Sequence, residues 1–374
     1  MKYYIIAGEA SGDMQAAHLM KKIKLIDAVA QFRGWGGELM QQQGAEIVKH
    51  YKDLAFMGFT QVIANLGTIL NNIKFCKTDI TAYQPDAIIY VDYPGFNMRI
   101  AAWAKKSNYK NIYYICPQVW AWKAKRSLKL KRDIDLLLCI LPFEKKFLNK
   151  YQFTQKQVEY IGHPLLEIIA GYKANAEIKV EVQDKLVVLL PGSRTQEIKI
   201  KLPIMLAAAM QFPDYKFIVA GAPGQDIENY KAAGLTDDVS IVFGQTYSLL
   251  SMAYAAIVTS GTATLEAGLF QVPQIVVYKG SPISYYIGKQ LVKIKYISLV
   301  NLIVDCPIVK EMIQNELTLG NLVGEMKALL TDNEYRQNIA NGYAELEHLL
   351  SGNGGANRAA ELIIKLIKNN EIER

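Results

Sequence analysis

Cysteine is scarce in this sequence, and no two cysteines have the spacing of a metal site or a disulfide framework. The four cysteines lie far apart within apolar stretches, at Cys76, Cys116, Cys139 and Cys306. Zinc sites and small disulfide-rich folds both need closely spaced cysteines. The histidines show no ligand spacing either. We therefore expect no metal site and a protein of the reducing cytoplasm.

Long apolar runs are also missing. The first residues, MKYYIIAGEASGD, hold a short apolar run that is too short for the core of a signal peptide. No later stretch reaches the roughly 18 uninterrupted apolar residues of a membrane span. We expect no membrane-spanning helix, which leaves attachment to a membrane surface open.

Two common nucleotide-binding motifs are absent as well. The sequence contains neither GxxxxGK[ST] nor GxGxxG. A nucleotide triphosphatase and a dinucleotide-dependent dehydrogenase therefore lose support.

The composition is that of a globular protein with two domains. The chain has 374 residues, of which 51% are hydrophobic and 21% charged, and single cores stop growing near roughly 250–300 residues. The net charge is +7, much of it within residues 123–133, KAKRSLKLKRD. Such a run is more often a solvated helix face than a binding site, with phosphate or anionic lipid as the alternative. We expect no nucleic acid partner.

Short apolar runs alternate with helical segments in two series. The runs of the first series are residues 3–8, 32–37, 87–92, 111–116 and 136–141, and those of the second are 186–192, 216–222, 239–244, 255–261 and 274–279. Unbroken apolar strands spaced by helices predict parallel sheets covered on both faces. From about residue 308 we expect helices only, interrupted by the glycines of 351–360.

Three segments share a pattern of strand, glycine-rich turn and helix start: AGEASGD (7–13), LLPGSR (189–194) and TSGTATLE (259–266). Free N–H groups at a helix start attract anions, and a glycine lets the anion approach. Each turn alone is typical of a plain connection. Two such turns in one half of the chain, one with Arg194 and one with Glu266, favour a nucleotide diphosphate. Guanidinium suits phosphate oxygens, and a carboxylate suits ribose hydroxyls.

Asp92 ends an apolar run and precedes Tyr93, Pro94 and Gly95. A carboxylate at the rim of a sheet is placed either as a general base or as the cap of the next helix. Residues 56–70 form an uncharged segment with helical spacing, which indicates either core packing or a surface for acyl chains and membrane. The candidate surface residues in it are Met57, Phe59, Val62, Ile63, Leu66, Ile69 and Leu70.

Together the motifs resemble those of the lipid-A-disaccharide synthases. The matching segments, in family order over nearly the whole chain, are GEASGD (8–13), GGELM (36–40), LAFMG (54–58), PQVWAW (117–122), LPFE (141–144), GHPL (162–165), LLPGSRTQEI (189–198), TSGTATLE (259–266) and SLVNLI (298–303). Single motifs are weak, but the ordered set is specific.

The resemblance implies an α/β GT-B fold of two facing Rossmann-like, doubly wound domains. The expected parts are an acceptor- and membrane-facing domain (1–165), a linker (166–184), a UDP-sugar-binding domain (185–345) and C-terminal helices that return to the first domain (346–374). The implied enzyme is an inverting glycosyltransferase that condenses UDP-2,3-diacylglucosamine with 2,3-diacylglucosamine 1-phosphate. It would work without metal or cofactor, as a peripheral protein on the cytoplasmic face of the inner membrane and as a homodimer.

By position, the resemblance implies that Asp92 is the general base and that Arg194 holds the diphosphate of UDP. It also implies that Asn301 is a catalytic residue. It implies a substrate- and UDP-binding set of Gly8, Glu9, Ser11, Gly192, Ser193, Ser260, Gly261, Thr262 and Glu266. It also turns residues 56–70 into the acyl and membrane surface. The sequence departs from the commoner family form at Gly95, where a second aspartate is usual, and at Gln61 and Val300.

The sequence leaves three alternative functions open. Within the same fold these are a UDP-sugar 2-epimerase and a transferase acting on another lipid-linked sugar. From a different class, the chain could be a catalytically silent protein that binds UDP or membrane. The uncharged 56–70 segment argues against the epimerase, and the presence of both Asp92 and Arg194 argues against a silent protein.

Overall fold

The computed structural model describes residues 1–54, 66–121, 124–175, 185–280, 295–351 and 354–368. The chain divides into two compact units, Met1–Pro164 with Ser351–Arg374, and Leu165–Leu350. Each unit has a parallel sheet with helices packed around it. None of the described helices combines the length and apolar character needed to cross a bilayer.

The first unit contains a sheet in which seven strands lie among the described residues, in the order β3-β2-β1-β4-β5-β6-β7. Its strands are β1 (Lys2–Ala7), β2 (Gln31–Gly36), β3 (Ala45–His50), β4 (Ala87–Val91), β5 (Asn111–Tyr114), β6 (Leu136–Cys139) and β7 (Val158–Tyr160). Its helices, before the chain leaves the unit, are α1 (Ala10–Ile26), α2 (Glu38–Gln42), α3 (Leu66–Tyr83), α4 (Pro94–Lys106), α5 (Arg126–Asp133) and α6 (Glu144–Asn149). Strands β4, β5 and β6 are buried along their whole length, as expected of central parallel strands.

The second unit has six described strands in the order β10-β9-β8-β11-β12-β13. They are β8 (Leu186–Leu190), β9 (Lys216–Gly221), β10 (Ser240–Phe243), β11 (Ala255–Thr259), β12 (Gln274–Tyr278) and β13 (Lys310–Ile313). The helices are α7 (Pro164–Asn175), α8 (Thr195–Ala209), α9 (Ile227–Lys231), α10 (Thr246–Met252), α11 (Thr262–Leu269), α12 (Leu299–Val304), α13 (Leu319–Thr331) and α14 (Asn333–Leu350). Every strand pair described in the two sheets is parallel, which confirms the predicted sheet type.

The last described helix, α15 (Gly355–Lys368), returns to the first unit and packs on α1. Its buried face recurs every three or four residues, at Ala356, Ala359, Ala360, Ile363, Ile364 and Ile367, which is the spacing of one helix face. The Gly355 N–H donates to the Ile161 carbonyl at 2.7 Å and fixes the start of the helix.

Several features differ from the sequence prediction, beginning with strands β3 and β7, which correspond to none of the predicted runs. Residues 310–313 form the edge strand β13 where only helices were expected, because a short edge strand with polar residues lacks the apolar signal of a central one. The predicted linker spans residues 166–184. Residues 166–175 of it lie in helix α7, which buries Leu165 and Ile169, and residues 176–184 lie outside the described residues. Residues 346–350, predicted as part of the returning segment, belong to α14 in the second unit.

The predicted acyl and membrane surface is only partly described. Met57, Phe59, Val62 and Ile63 lie outside the described residues. Helix α3 begins at Leu66. Further along it, Ile69 is half-buried and Leu70 is 57% exposed.

Candidate active site

The carboxyl ends of β1 and β4 bring Gly8, Glu9 and Asp92 to the same edge of the first sheet. These strands pair in register with Ala7 opposite Val91, so Gly8 and Asp92 follow paired positions directly. Ligands of open parallel sheets bind at this edge. The structure thus gathers these predicted residues at one place, with Ser11 exposed in the first turn of α1.

Asp92 is exposed and has a left-handed backbone (φ 45°), as has Tyr93 (φ 48°). Two consecutive left-handed residues other than glycine are unfavourable by about 1–3 kcal/mol each and need support from their surroundings. The support includes Gly8, where an added Cβ would stand 2.4 Å from the Tyr93 ring. Gly8 therefore makes room for Tyr93, which stacks on Phe96 with ring centroids 5.6 Å apart.

A second carboxylate, that of Glu144, is buried at the same edge of the sheet. The sequence patterns assigned no role to this residue. It accepts hydrogen bonds from Trp120 Nε1 and from the N–H groups of Ile140 and Leu141, each at 3.0 Å. Burial raises the pKa of Glu144 to about 7, against these donors, and the charge of Asp92 adds to the rise. Glu144 thus ties the loop of Trp120 to the turn after β6.

The raised pKa of Glu144 predicts how stability varies with pH. The folded protein keeps a proton that the unfolded chain releases between the ordinary pKa of 4.5 and about 7. The contribution of Glu144 to stability is therefore fully present below pH 4.5 and is lost as the pH rises through about 7. The stability of the wild type relative to Glu144→Gln should fall across this window in thermal melts. A difference that stays constant would mean that Glu144 is already ionised in the fold.

The second unit presents two of the predicted turns side by side. Strands β8 and β11 pair with Leu190 opposite Val258, and the turns with Arg194 and with Ser260 follow these positions. Gly192 has φ 124°, which disfavours other residues, and an added Cβ would stand 2.4 Å from Glu197 Oε2. The structure therefore brings Gly192, Ser193 and Arg194 beside the turn of Ser260.

The Glu197 carboxylate already binds donors of the turn that contains Ser193 and Arg194. The Ser193 N–H donates to Glu197 Oε2 at 3.1 Å, and Arg194 Nη1 lies 3.4 Å from Glu197 Oε1. The Arg194 side chain is 46% exposed, and exposed pairs of this kind contribute little stability. Its guanidinium can exchange this partner for an incoming phosphate at small cost.

The other turn begins helix α11. Thr262 is its first residue, and Thr264 Oγ1 donates to the Gly261 carbonyl at 2.8 Å. Glu266, predicted to hold the ribose, accepts a hydrogen bond from the Tyr247 hydroxyl at 3.1 Å. Burial raises the pKa of Glu266 while this hydrogen bond opposes the rise. The structure thus places Glu266 one helix turn from Thr262, beside an aromatic hydroxyl.

Asn301 is buried, and both ends of its amide are engaged. Its Nδ2 donates to the Val309 carbonyl at 2.8 Å and to Glu311 Oε1 at 3.0 Å, while Oδ1 accepts from the Val309 N–H at 2.9 Å. In this arrangement Asn301 holds protein groups, and the catalytic role that the resemblance implies for it stays a prediction. It connects α12 to the edge strand β13.

Glu311 extends this network to the segment beside Ser260, and the sequence offered no signal for it. Its two oxygens accept from Ile297 N at 3.0 Å, from Ser298 N at 2.9 Å and from Ser298 Oγ at 2.7 Å, in addition to Asn301. Ser260 Oγ in turn donates to the Ile297 carbonyl at 2.8 Å. Glu311 therefore fixes the segment against which Ser260 rests.

Replacing Glu311 with glutamine should loosen this segment. Glutamine keeps one acceptor oxygen and places an NH₂ group against N–H donors, so we expect a loss of about 1–3 kcal/mol in unfolding free energy. Affinity for UDP, the ligand that the resemblance implies, should also fall when it is measured by calorimetry. Glu316→Gln, at an exposed glutamate just after β13, is the matched control and should keep both properties. Unchanged UDP affinity in a destabilised Glu311→Gln protein would restrict the network to a structural role.

Among the residues that the structure describes, no group of three or more histidine, cysteine, aspartate or glutamate side chains is arranged to hold a metal ion.

The sequence relationships are extensive. A family model described as lipid-A-disaccharide synthetase matches residues 3–366. The chain belongs to the lipid-A-disaccharide synthase family. A lipid-A-disaccharide synthase of Psychromonas ingrahamii is 36% identical over 377 residues, covering 98% of this chain and 97% of the relative. One of Coxiella burnetii is 32% identical over 371 residues, covering 97% and 98%.

Membership confirms the predicted family and makes the chain a glycosyltransferase of lipid A biosynthesis. Solved structures support the GT-B fold. The UDP-GlcNAc 2-epimerase of Neisseria meningitidis bound to UDP-GlcNAc has a TM-score of 0.69 at 12% identity, covering 99% of this chain and 100% of the epimerase. The glycotransferase of kitacinnamycin has a TM-score of 0.61 at 14% identity, covering 98% and 99%. At such identities the likeness concerns the fold alone, so it does not favour the epimerase alternative over the family.

Proposed function

We propose that this family member transfers 2,3-diacylglucosamine from UDP to the 6-hydroxyl of 2,3-diacylglucosamine 1-phosphate, giving the β-1,6-linked disaccharide 1-phosphate and UDP. The observation that carries the proposal for this chain is Asp92, an exposed carboxylate on a left-handed turn at the carboxyl edge of the first sheet. A backbone of this kind persists only where the surroundings hold it, and such residues cluster at active sites.

The proposed reaction is a single displacement. Asp92 accepts the proton of the 6-hydroxyl as that oxygen attacks the anomeric carbon, and the bond from this carbon to the diphosphate oxygen breaks. UDP leaves with the bonding electron pair, and the configuration inverts because the acceptor enters opposite the leaving group. The donor is a substrate, and the proposal includes neither cofactor nor metal.

Arg194 is proposed to stabilise the negative charge that builds on departing UDP. Its guanidinium stands at the start of α8 beside the Gly192 turn, where helix N–H groups add partial positive charge. Ser193, Ser260, Gly261 and Thr262 are proposed to complete the phosphate seat. Glu266 would take the ribose, exchanging its hydrogen bond with Tyr247. Gly8, Glu9 and Ser11 are proposed to bind substrate next to Asp92.

We further propose that the protein attaches peripherally to the cytoplasmic face of the inner membrane. Helix α3 exposes Leu70 by 57% and Phe75 by 46%, and the basic helix α5 exposes Leu128 by 56%. Apolar side chains beside lysine and arginine suit an anionic lipid surface. A homodimer is proposed on the resemblance alone, and sedimentation equilibrium tests it.

The direct test is to incubate the purified protein with both acylated substrates in detergent and to follow disaccharide and UDP by mass spectrometry. We expect the two products in equal amounts and no UDP release when the acceptor is omitted. UDP release without acceptor, or conversion of UDP-GlcNAc to its 2-epimer, would contradict the proposal. No product with both lipids fully dispersed would favour a silent binding protein.

A further inference from the structure

The main-chain carbonyl of Asp92 accepts two short hydrogen bonds from the protein interior. The Tyr113 hydroxyl donates to it at 2.6 Å, and Asn97 Nδ2 donates at 2.7 Å. Both donors are fully buried. Buried donors of fixed position hold an acceptor more firmly than exposed ones, because no water competes for them.

These two hydrogen bonds act on the least favourable part of the turn. Asp92 and Tyr93 are both left-handed, a conformation that ordinary residues adopt only under external constraint. Tyr113 stands on β5 opposite Tyr90 of β4, so its hydroxyl comes from the neighbouring strand and is independent of the turn itself. With the carbonyl held toward the sheet, the carboxylate of the same residue stays exposed at the edge.

We propose that Tyr113 is a positioning residue for glycosyl transfer, acting through the carbonyl of Asp92 to aim its carboxylate at the acceptor hydroxyl. The inference rests on the proposed role of Asp92 as general base. Tyr113 makes no contact with substrate in this scheme. Asn97 supports the same carbonyl, but it also lies 3.4 Å from the carbonyls of Ile6 and Val91, so Tyr113 is the more specific of the two supports.

Tyr113 remains a donor at every pH at which the enzyme would be assayed. Burial raises its pKa well above the ordinary value of 10, and the negative charge of Asp92 raises it further. A positioning role therefore predicts an effect on rate that does not vary with pH.

The test compares Tyr113→Phe with Tyr90→Phe. Both tyrosines are fully buried, their ring centroids are 5.7 Å apart, and each hydroxyl donates one hydrogen bond that phenylalanine removes. Tyr90 donates to Asn111 Oδ1 at 2.9 Å, at the amino end of β5 and away from Asp92. The two variants therefore have matched losses in the core and differ in whether Asp92 is affected.

We expect similar losses of thermal stability in both variants and unchanged UDP affinity. Of the two, only Tyr113→Phe should lower kcat, by about 10- to 100-fold, as for a small misplacement of a reacting group. The KM for the donor should stay within about twofold, and the ratio of mutant to wild-type kcat should be constant between about pH 6 and 9. Asn97→Ala, which removes the other donor to the same carbonyl, should lower kcat in the same way.

Equal kcat values in Tyr113→Phe and Tyr90→Phe would overturn the inference, as would a rate ratio that changes with pH. If Tyr113→Phe does not fold, a wild-type kcat in Asn97→Ala overturns it instead. Asp92→Asn separates this inference from the function on which it rests. An active Asp92→Asn enzyme contradicts the proposed function, whereas an inactive one with an active Tyr113→Phe enzyme contradicts only the role of Tyr113.

Discussion

Asp92→Asn lowers kcat by about 10²- to 10⁴-fold while UDP binds with wild-type affinity: this is the expected result if Asp92 is the general base. Asparagine has almost the same shape and tolerates the left-handed backbone of residue 92. The substitution therefore removes the proton acceptor and keeps the turn. Calorimetry with UDP and product formation under saturating substrates measure the two quantities separately.

Gly95 provides the control for this experiment. The commoner family form has a second aspartate there, and an added Cβ at Gly95 would meet nothing within 4 Å. Gly95→Asp should therefore fold normally and keep its activity, since an acidic residue in the first turn of α4 is also favourable. In the Asp92→Asn background it should restore nothing. A near-normal rate in Asp92→Asn, alone or combined with Gly95→Asp, would refute the assignment of the base.

Arg194→Ala should weaken both UDP binding and turnover, in contrast to Asp92→Asn. Removing one preorganised positive group from a departing anion typically costs about 10²- to 10³-fold in kcat. Because a guanidinium offers two parallel donors where an ammonium offers a point charge, Arg194→Lys should recover only part of the loss. UDP titration and initial rates at several donor concentrations distinguish the effects on affinity and on kcat.

Glu197→Gln separates the function of Arg194 from its ion pair. The variant removes the negative partner that lies 3.4 Å from the Arg194 guanidinium and leaves arginine in place. UDP affinity should be unchanged or higher, because the phosphate no longer competes with a carboxylate. If Glu197→Gln loses as much affinity as Arg194→Ala, the turn itself binds UDP and Arg194 serves mainly to hold Glu197.

The central strands could be predicted from the sequence because strands buried on both faces have unbroken apolar runs, as in β4 and β8. The sequence was insufficient for β13, whose lysine and glutamate precede apolar residues over a short span. The return of the chain to the first unit followed from the resemblance, and the glycines of 351–360 marked the end of α14 at Leu350, whereas the place of residues 346–350 in the second unit depended on packing.

The residues of the candidate site also fall into two groups, those that local sequence marks and those that it does not. Asp92 and Arg194 stand next to glycine-containing turns and inside recognisable motifs, so local sequence marks them. Tyr113 and Glu311 act on residues distant in sequence, and only the register of paired strands or a folded loop brings them there. A tyrosine in an apolar strand carries no sign of its hydrogen-bond partner. For Asn301 the motif indicated a role, and the structure shows which groups its amide holds.

The packing of α15 on α1 has a consequence for the order of folding during synthesis. The two helices join Ala10–Ile26 to Gly355–Lys368, so one half of this contact leaves the ribosome only after the whole second unit. The second unit is continuous in sequence and can fold first, while α1 waits with part of its apolar face uncovered. A chain growing at about 5–20 residues per second would leave that face open for tens of seconds. The first unit is therefore the part of the nascent chain most in need of protection by chaperones.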